Sequence, residues 1–165
     1  MLIRRAAVWN VQFSLRMACH PKVINRFRIR FGRSVPMSEA IKTASAPQPL
    51  GAYSQAVQIG SLLFVSGQLP IDRDGNFVNG TLAEEAMQAL ENVRAIVEAA
   101  GGTITAIVQC TVYISDLAHW TEMETVYGDF FSVVSVLPAR SVVPVKEMHH
   151  GAHIEIQAIA FLNRP

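Results

Sequence analysis

Acidic residues are missing from the first 36 positions, which carry eight of the 14 lysines and arginines (Arg4, Arg5, Arg16, Lys22, Arg26, Arg28, Arg30 and Arg33). Residues 37–165 hold the other six basic side chains against all 13 acidic ones, a net of −7 concealed by the overall +1. One folded body has no physical reason to segregate its charge this way, so 1–36 reads as a basic leader and 37–165 as the domain. An over-called start is the leading expectation for the leader, because Met37-Ser38-Glu39 looks like a natural beginning. A mitochondrial transit peptide and a basic nucleic-acid arm are the alternatives. In each case 1–36 is expected to be disordered or loosely attached.

Cysteine is scarce as well. Cys19 and Cys110 offer no disulfide framework, which fits a reducing, cytoplasmic setting. The leader has no apolar run long enough for a secretory signal core or a membrane span, and no membrane partner is expected. There is no Gly-rich phosphate loop, nucleophile elbow or paired Cys-x-x-Cys. Five histidines (His20, His119, His149, His150, His153) show no ligand spacing, so no metal is expected. The domain's −7 argues against nucleic acid as a partner, because non-specific affinity for it is chiefly phosphate neutralisation.

What is present is a compact alternation of strands and helices. Residues 43–52, with Pro47, Pro49 and Gly51, form an extended lead-in. Ala56–Ile59 and Leu62–Ser66 read as a hairpin about Gly60-Ser61. Asp74-Gly75 marks a turn before a short segment at Phe77-Val78. Thr81 and Glu84 make a capping box for a helix that buries Ala86, Leu90, Val93, Val97 and Ala100 and stops at Gly101-Gly102. Ile107–Ile114 is a strand. Ser115-Asp116 caps a second helix whose predicted stripe is Leu117, Trp120, Met123, Tyr127 and Phe130. Strands at Ser141–Val145 and Ile154–Leu162 finish the chain. The order β-β-α-β-α-β-β implies an α+β fold with both helices on one sheet face. Strands such as Leu62–Val65 are apolar on both sides, so the other face needs a cover, most simply an oligomer.

Chemistry falls to a few polar residues at strand starts and loop edges: Tyr53, Ser66, Arg140 and Glu155. Arg140 opens an apolar strand at Pro138-Ala139-Arg140-Ser141, where its planar fork suits a carboxylate. A structural salt bridge is the plain reading, with Glu155 as one possible partner. If the last two strands were antiparallel neighbours, Arg140 and Glu155 would lie opposite each other. A cation for a carboxylate beside a carboxyl that moves protons is a minimal site for hydrolysing a small 2-imino acid. The same pair also satisfies the salt-bridge reading.

Gly51-Ala-Tyr-Ser-Gln-Ala56, Phe64-Val-Ser-Gly-Gln-Leu-Pro70, Ala89-Leu-Glu-Asn-Val93, Pro138-Ala-Arg-Ser141 and Ile154-Glu-Ile-Gln-Ala-Ile-Ala160 together resemble the RidA (YjgF) family of reactive intermediate deaminases. The match runs from about Ile41 to Leu162. The resemblance implies a chorismate-mutase-like fold, a homotrimer with three inter-subunit clefts, and metal-free, cofactor-free hydrolysis of 2-enamine and 2-imine intermediates to 2-keto acids and ammonia. It assigns the substrate carboxylate to Arg140 and the attacking water to Glu155, and places Tyr53 and Ser66 in the cleft wall. Two positions expected to touch substrate depart from the family pattern: Val142 replaces a frequent cysteine and Glu124 a frequent asparagine. Gln157 stands where relatives often carry glutamate. A small-carboxylate-binding protein without turnover, an aminomuconate-type deaminase, a ribonuclease and a holdase are the other readings.

Overall fold

The computed structural model describes residues 37–162, so the leader and the expectations attached to it lie outside the described residues. Six strands and two helices follow in the order β1 (Glu39–Ile41), β2 (Ala56–Ile59), β3 (Leu62–Gln68), α1 (Leu82–Ala99), β4 (Ile107–Ile114), α2 (Trp120–Phe130), β5 (Ala139–Pro144) and β6 (Ile154–Phe161). The predicted order lacked β1. That strand is three residues long and exists by antiparallel pairing with β2, a contact no local pattern announces.

Local chemistry explains most of the boundaries. Gly60 turns the β2–β3 hairpin at φ 60°, where a β-carbon is disfavoured. Thr81 accepts a hydrogen bond from the Glu84 amide while the Glu84 carboxylate accepts one from the Thr81 amide, closing the expected capping box of α1. The last turn of α1 is closed by the Gly101 and Gly102 amides, which donate to the carbonyls of Glu98 and Val97. The second helix differs from expectation at its start. Asp116 caps a short 3-10 turn at Leu117–His119, and α2 proper begins at Trp120. Leu117 and Trp120 therefore lie exposed, Phe130 is only partly buried, and the stripe that faces the core is Met123, Val126 and Tyr127.

The six strands form one sheet in the order β1-β2-β3-β6-β4-β5. Every pairing is antiparallel except β4 with β5, which α2 joins as a parallel crossover. Ala56, Val65, Ala158 and Cys110 are successive cross-strand partners, all buried, and belong to one core with Leu90, Val93, Val97, Met123 and Tyr127. Both helices thus cover the same face. The opposite face presents Val57, Ile59, Leu62, Phe64 and Phe161, each more than a third exposed. Among the described residues nothing covers it.

A candidate active site in two halves

The first half is built around Glu155. Its cross-strand partner is Tyr113, and strand parity puts the carboxylate on the uncovered face. There it lies against Gly67, at the irregularity of β3 between Val65 and Gln68. A β-carbon on Gly67 would come within 1.8 Å of Glu155 Oε1, so the close approach requires glycine. Partial burial raises the Glu155 carboxyl above its ordinary range.

Beside it, the Ser66 hydroxyl donates to the Ser54 carbonyl (2.7 Å) and the Ser66 amide to the Gln55 carbonyl (3.0 Å), tying β3 to the lead-in segment. Gln55, fully buried, is the hub of that segment. Its side-chain oxygen accepts from the Thr43 amide at 2.7 Å, and its side-chain nitrogen donates to the carbonyls of Pro47 (2.9 Å) and Thr43 (3.1 Å). The irregular backbone so held forms a cleft of about 310 Å³ with Pro47, Gln48, Tyr53, Gly67 and His149 in its wall. Tyr53 is half exposed, its hydroxyl accepting a long bond from the Leu50 amide. Asn92 supports the far wall from α1 by donating to the carbonyls of Leu69 and Ile71. Glu155 lines an adjoining groove with Tyr113 and Gln157, and His149 borders both spaces.

The second half lies across the sheet. Arg140 pairs in register with Cys110, and so projects to the helix-covered face. Its Nη2 donates to Glu124 Oε2 at 2.6 Å, and its guanidinium carbon sits 4.5 Å above the centre of the Tyr127 ring. Glu124 and Tyr127 stand three residues apart on α2 and share one helical face, so the pair forms a cradle. Burial pushes the Cys110 thiol up to about 11 and raises the Tyr127 hydroxyl, so both stay protonated. The Tyr127 hydroxyl is buried with no hydrogen-bond partner of ordinary geometry among the described residues, and the weak Cys110 thiol is its polar neighbour. Val142 shares the face of Arg140 and packs its side chain on the margin of the core.

This arrangement corrects the sequence-derived geometry. Arg140 and Glu155 are not opposite each other: β6 is inserted between β3 and β4, β5 runs parallel at the sheet edge, and the two side chains point to opposite faces. The salt-bridge partner of Arg140 is Glu124 rather than Glu155. Glu124 is half exposed to solvent, and its carboxylate is paired with the guanidinium. Tyr53, Ser66 and Glu155 gather around Gly67, whereas Arg140, Glu124 and Val142 form a separate group. Sequence reasoning missed Gln55, Asn92, Gly67 and Tyr127 as supports. Gln55 and Asn92 were legible only as polar residues within apolar motifs.

A second polar cluster anchors the loop before β6. Glu85, wholly buried on α1, accepts from the His153 amide at 2.8 Å and lies 2.9 Å from His153 Nδ1. Among the described residues no group of three potential metal ligands comes together. No helix among them is long and apolar enough to cross a membrane.

The family model of endoribonuclease L-PSP matches residues 43–162. A RutC family protein of Pyrococcus horikoshii is 41% identical over 76% of this chain and 98% of its own length. The 2-iminobutanoate/2-iminopropanoate deaminase of Salmonella typhimurium is 42% identical over 75% of this chain and 98% of its own. The crystal structure of Escherichia coli TdcF with bound serine superposes with a TM-score of 0.73 at 37% identity, covering 76% of this chain and 99% of that one. With the five ordered motifs, the mixed sheet and these relatives in agreement, the chain belongs to the RidA/YjgF family, the family whose model carries the endoribonuclease L-PSP description.

Proposed function

We propose that the protein hydrolyses reactive 2-imino acids and their 2-enamine tautomers to 2-keto acids and ammonia, in clefts completed by a neighbouring copy of the chain. One observation carries the reading. A half-buried carboxylate with a raised pKa borders an open cleft, while the arginine suited to an anionic substrate projects from the other side of the same sheet. The sheet stands between them within one chain, so a second copy must bring the two halves together. The exposed apolar face supplies a reason to associate, and a homotrimer is the assembly proposed. The deaminase names of relatives and the serine in the TdcF structure support a small, amino-acid-like carboxylate as ligand.

The chemistry needs few groups. Arg140 holds the carboxylate of the substrate, fixing the C=N bond in the cleft. Glu155, as carboxylate, takes a proton from water as its oxygen bonds to C2. Glu155 then returns that proton to the carbinolamine nitrogen, which leaves as ammonia, and takes the proton of the remaining hydroxyl as the 2-keto acid forms. Tyr53 and Ser66 shape the wall rather than exchange protons, Ser66 already donating to the backbone.

The test is ammonia release from a freshly generated 2-imino acid. Wild-type protein is expected to accelerate it, and Arg140→Ala is expected to return the rate to that of buffer. Equal rates for both proteins would refute the enzymatic reading. The alternative is a carboxylate-binding protein without turnover, since Glu124 already occupies part of the guanidinium that the reaction would use. Saturable 2-keto acid binding with no acceleration would establish it.

A further inference from the structure

Arg140 is not a bare cation. Among the described residues only its Nη2 is hydrogen-bonded, to Glu124, so the Nε and Nη1 donors are unengaged. The Arg140 side chain is four-fifths buried, with its guanidinium over Tyr127, whereas the Glu124 side chain is half exposed. An incoming carboxylate therefore meets a fixed cation with a fixed anion beside it, a pair of net charge zero. A free anion gains from the first charge and loses to the second over nearly the same distance. A ligand with a carboxylate at one end and a positive nitrogen one carbon away loses less, because its cation faces the anion.

We infer that Glu124 is a charge-selectivity residue, favouring net-neutral zwitterionic 2-substituted acids over 2-keto acid anions at the Arg140 subsite. The inference rests on the carboxylate-binding role proposed for Arg140, and it deepens that reading by naming the protonation state the site takes. A 2-imino acid with its nitrogen protonated is a zwitterion, and it is also the form whose C2 is most open to attack by water. The keto acid that leaves is an anion. The same glutamate thus draws in the reactive form of the substrate and weakens retention of the product.

The experiment compares two ligands of one carbon skeleton, 2-aminobutanoate and 2-oxobutanoate, by titration calorimetry on the full chain at pH 7. Wild type, Glu124→Gln, Glu124→Asp and Arg140→Ala are each measured. The Gln change removes one half-exposed charge at nearly constant shape, and binding of both ligands is read on the same folded sample. Glu124→Gln is expected to tighten 2-oxobutanoate on the order of tenfold while changing 2-aminobutanoate less than about twofold or weakening it. Glu124→Asp is expected to keep the wild-type preference. The oxo-acid gain is expected to shrink in 0.5 M salt, which a purely steric effect would not do. Equal shifts for the two ligands, or no shift in either, would overturn the selectivity while leaving Arg140 as the binding group. Loss of neither ligand on Arg140→Ala, or no saturable binding by any of the four proteins, would overturn the underlying site as well.

Discussion

Replacing Gly67 with alanine separates the position of the Glu155 carboxylate from the stability of the fold. An ideal β-carbon at 67 lies 1.8 Å from Glu155 Oε1, 2.8 Å from Cδ and 3.3 Å from Cγ. Oε1 must move by more than an ångström and Cδ by roughly half of one, while Cγ gives at most a few tenths. Gly67 has no left-handed backbone, so alanine itself adds no conformational strain there, and it removes freedom from the unfolded chain. The displaced atoms belong to the end of a flexible side chain, so the structural penalty is that of a poor rotamer, roughly 0.5–1.5 kcal/mol. That corresponds to a fall in Tm of only about 2–6 °C for a domain of this size. The catalytic penalty is larger, because a misplacement of about 1 Å costs on the order of 100-fold in rate. The expected result for Gly67→Ala is a small loss in Tm with kcat/KM for imine hydrolysis down about 100-fold. On a Glu155→Ala background the same change is expected to leave Tm unchanged or slightly raised, since nothing remains to be displaced. A Gly67→Ala protein within about threefold of wild-type kcat/KM would refute the argument that the carboxylate must lie where Gly67 admits it.

Two further outcomes follow from buried polar groups. Glu155 is raised in the folded protein by burial, so folding favours its protonated form; the contribution to stability is full below the unfolded-state pKa and is lost as pH rises through the folded one. Glu155→Gln is therefore expected to have a higher Tm than wild type at pH 7, with the gap closing as pH is lowered below the ordinary glutamate range. A gap independent of pH would refute that cause. Tyr127→Phe removes a buried hydroxyl with no ordinary partner while keeping the ring under Arg140. Thermal melts are expected to show unchanged stability or a gain of up to about 1 kcal/mol, and a loss above that would mean the hydroxyl is bonded.

Much of this molecule could be read locally. The capping box at Thr81 and Glu84, the hairpin glycine and the apolar spacing of α1 each act within a few residues, so their signals survive without tertiary context. Reading failed where a neighbour distant in sequence decided the result. β1 needs β2 to exist. The start of α2 slid past Leu117 and Trp120 because a 3-10 turn took the Asp116 cap, moving the buried stripe onto Val126.

The candidate site divides in the same way. Arg140, Glu155, Tyr53 and Ser66 stand out as polar residues among apolar strands because desolvating such groups is expensive and calls for a reason. Alternation along a strand even assigns each its relative face. What alternation cannot supply is the order of strands across the sheet, since that depends on which edges meet after the crossovers close. Inserting β6 between β3 and β4 sent Glu155 to the open face beside Gly67. The parallel placement of β5 sent Arg140 to the helix-covered face, over Tyr127 and against Glu124. The residues and their chemical types were determined by sequence alone; their partners were decided by long-range packing, which joins segments whose separation along the chain carries no trace of their contact.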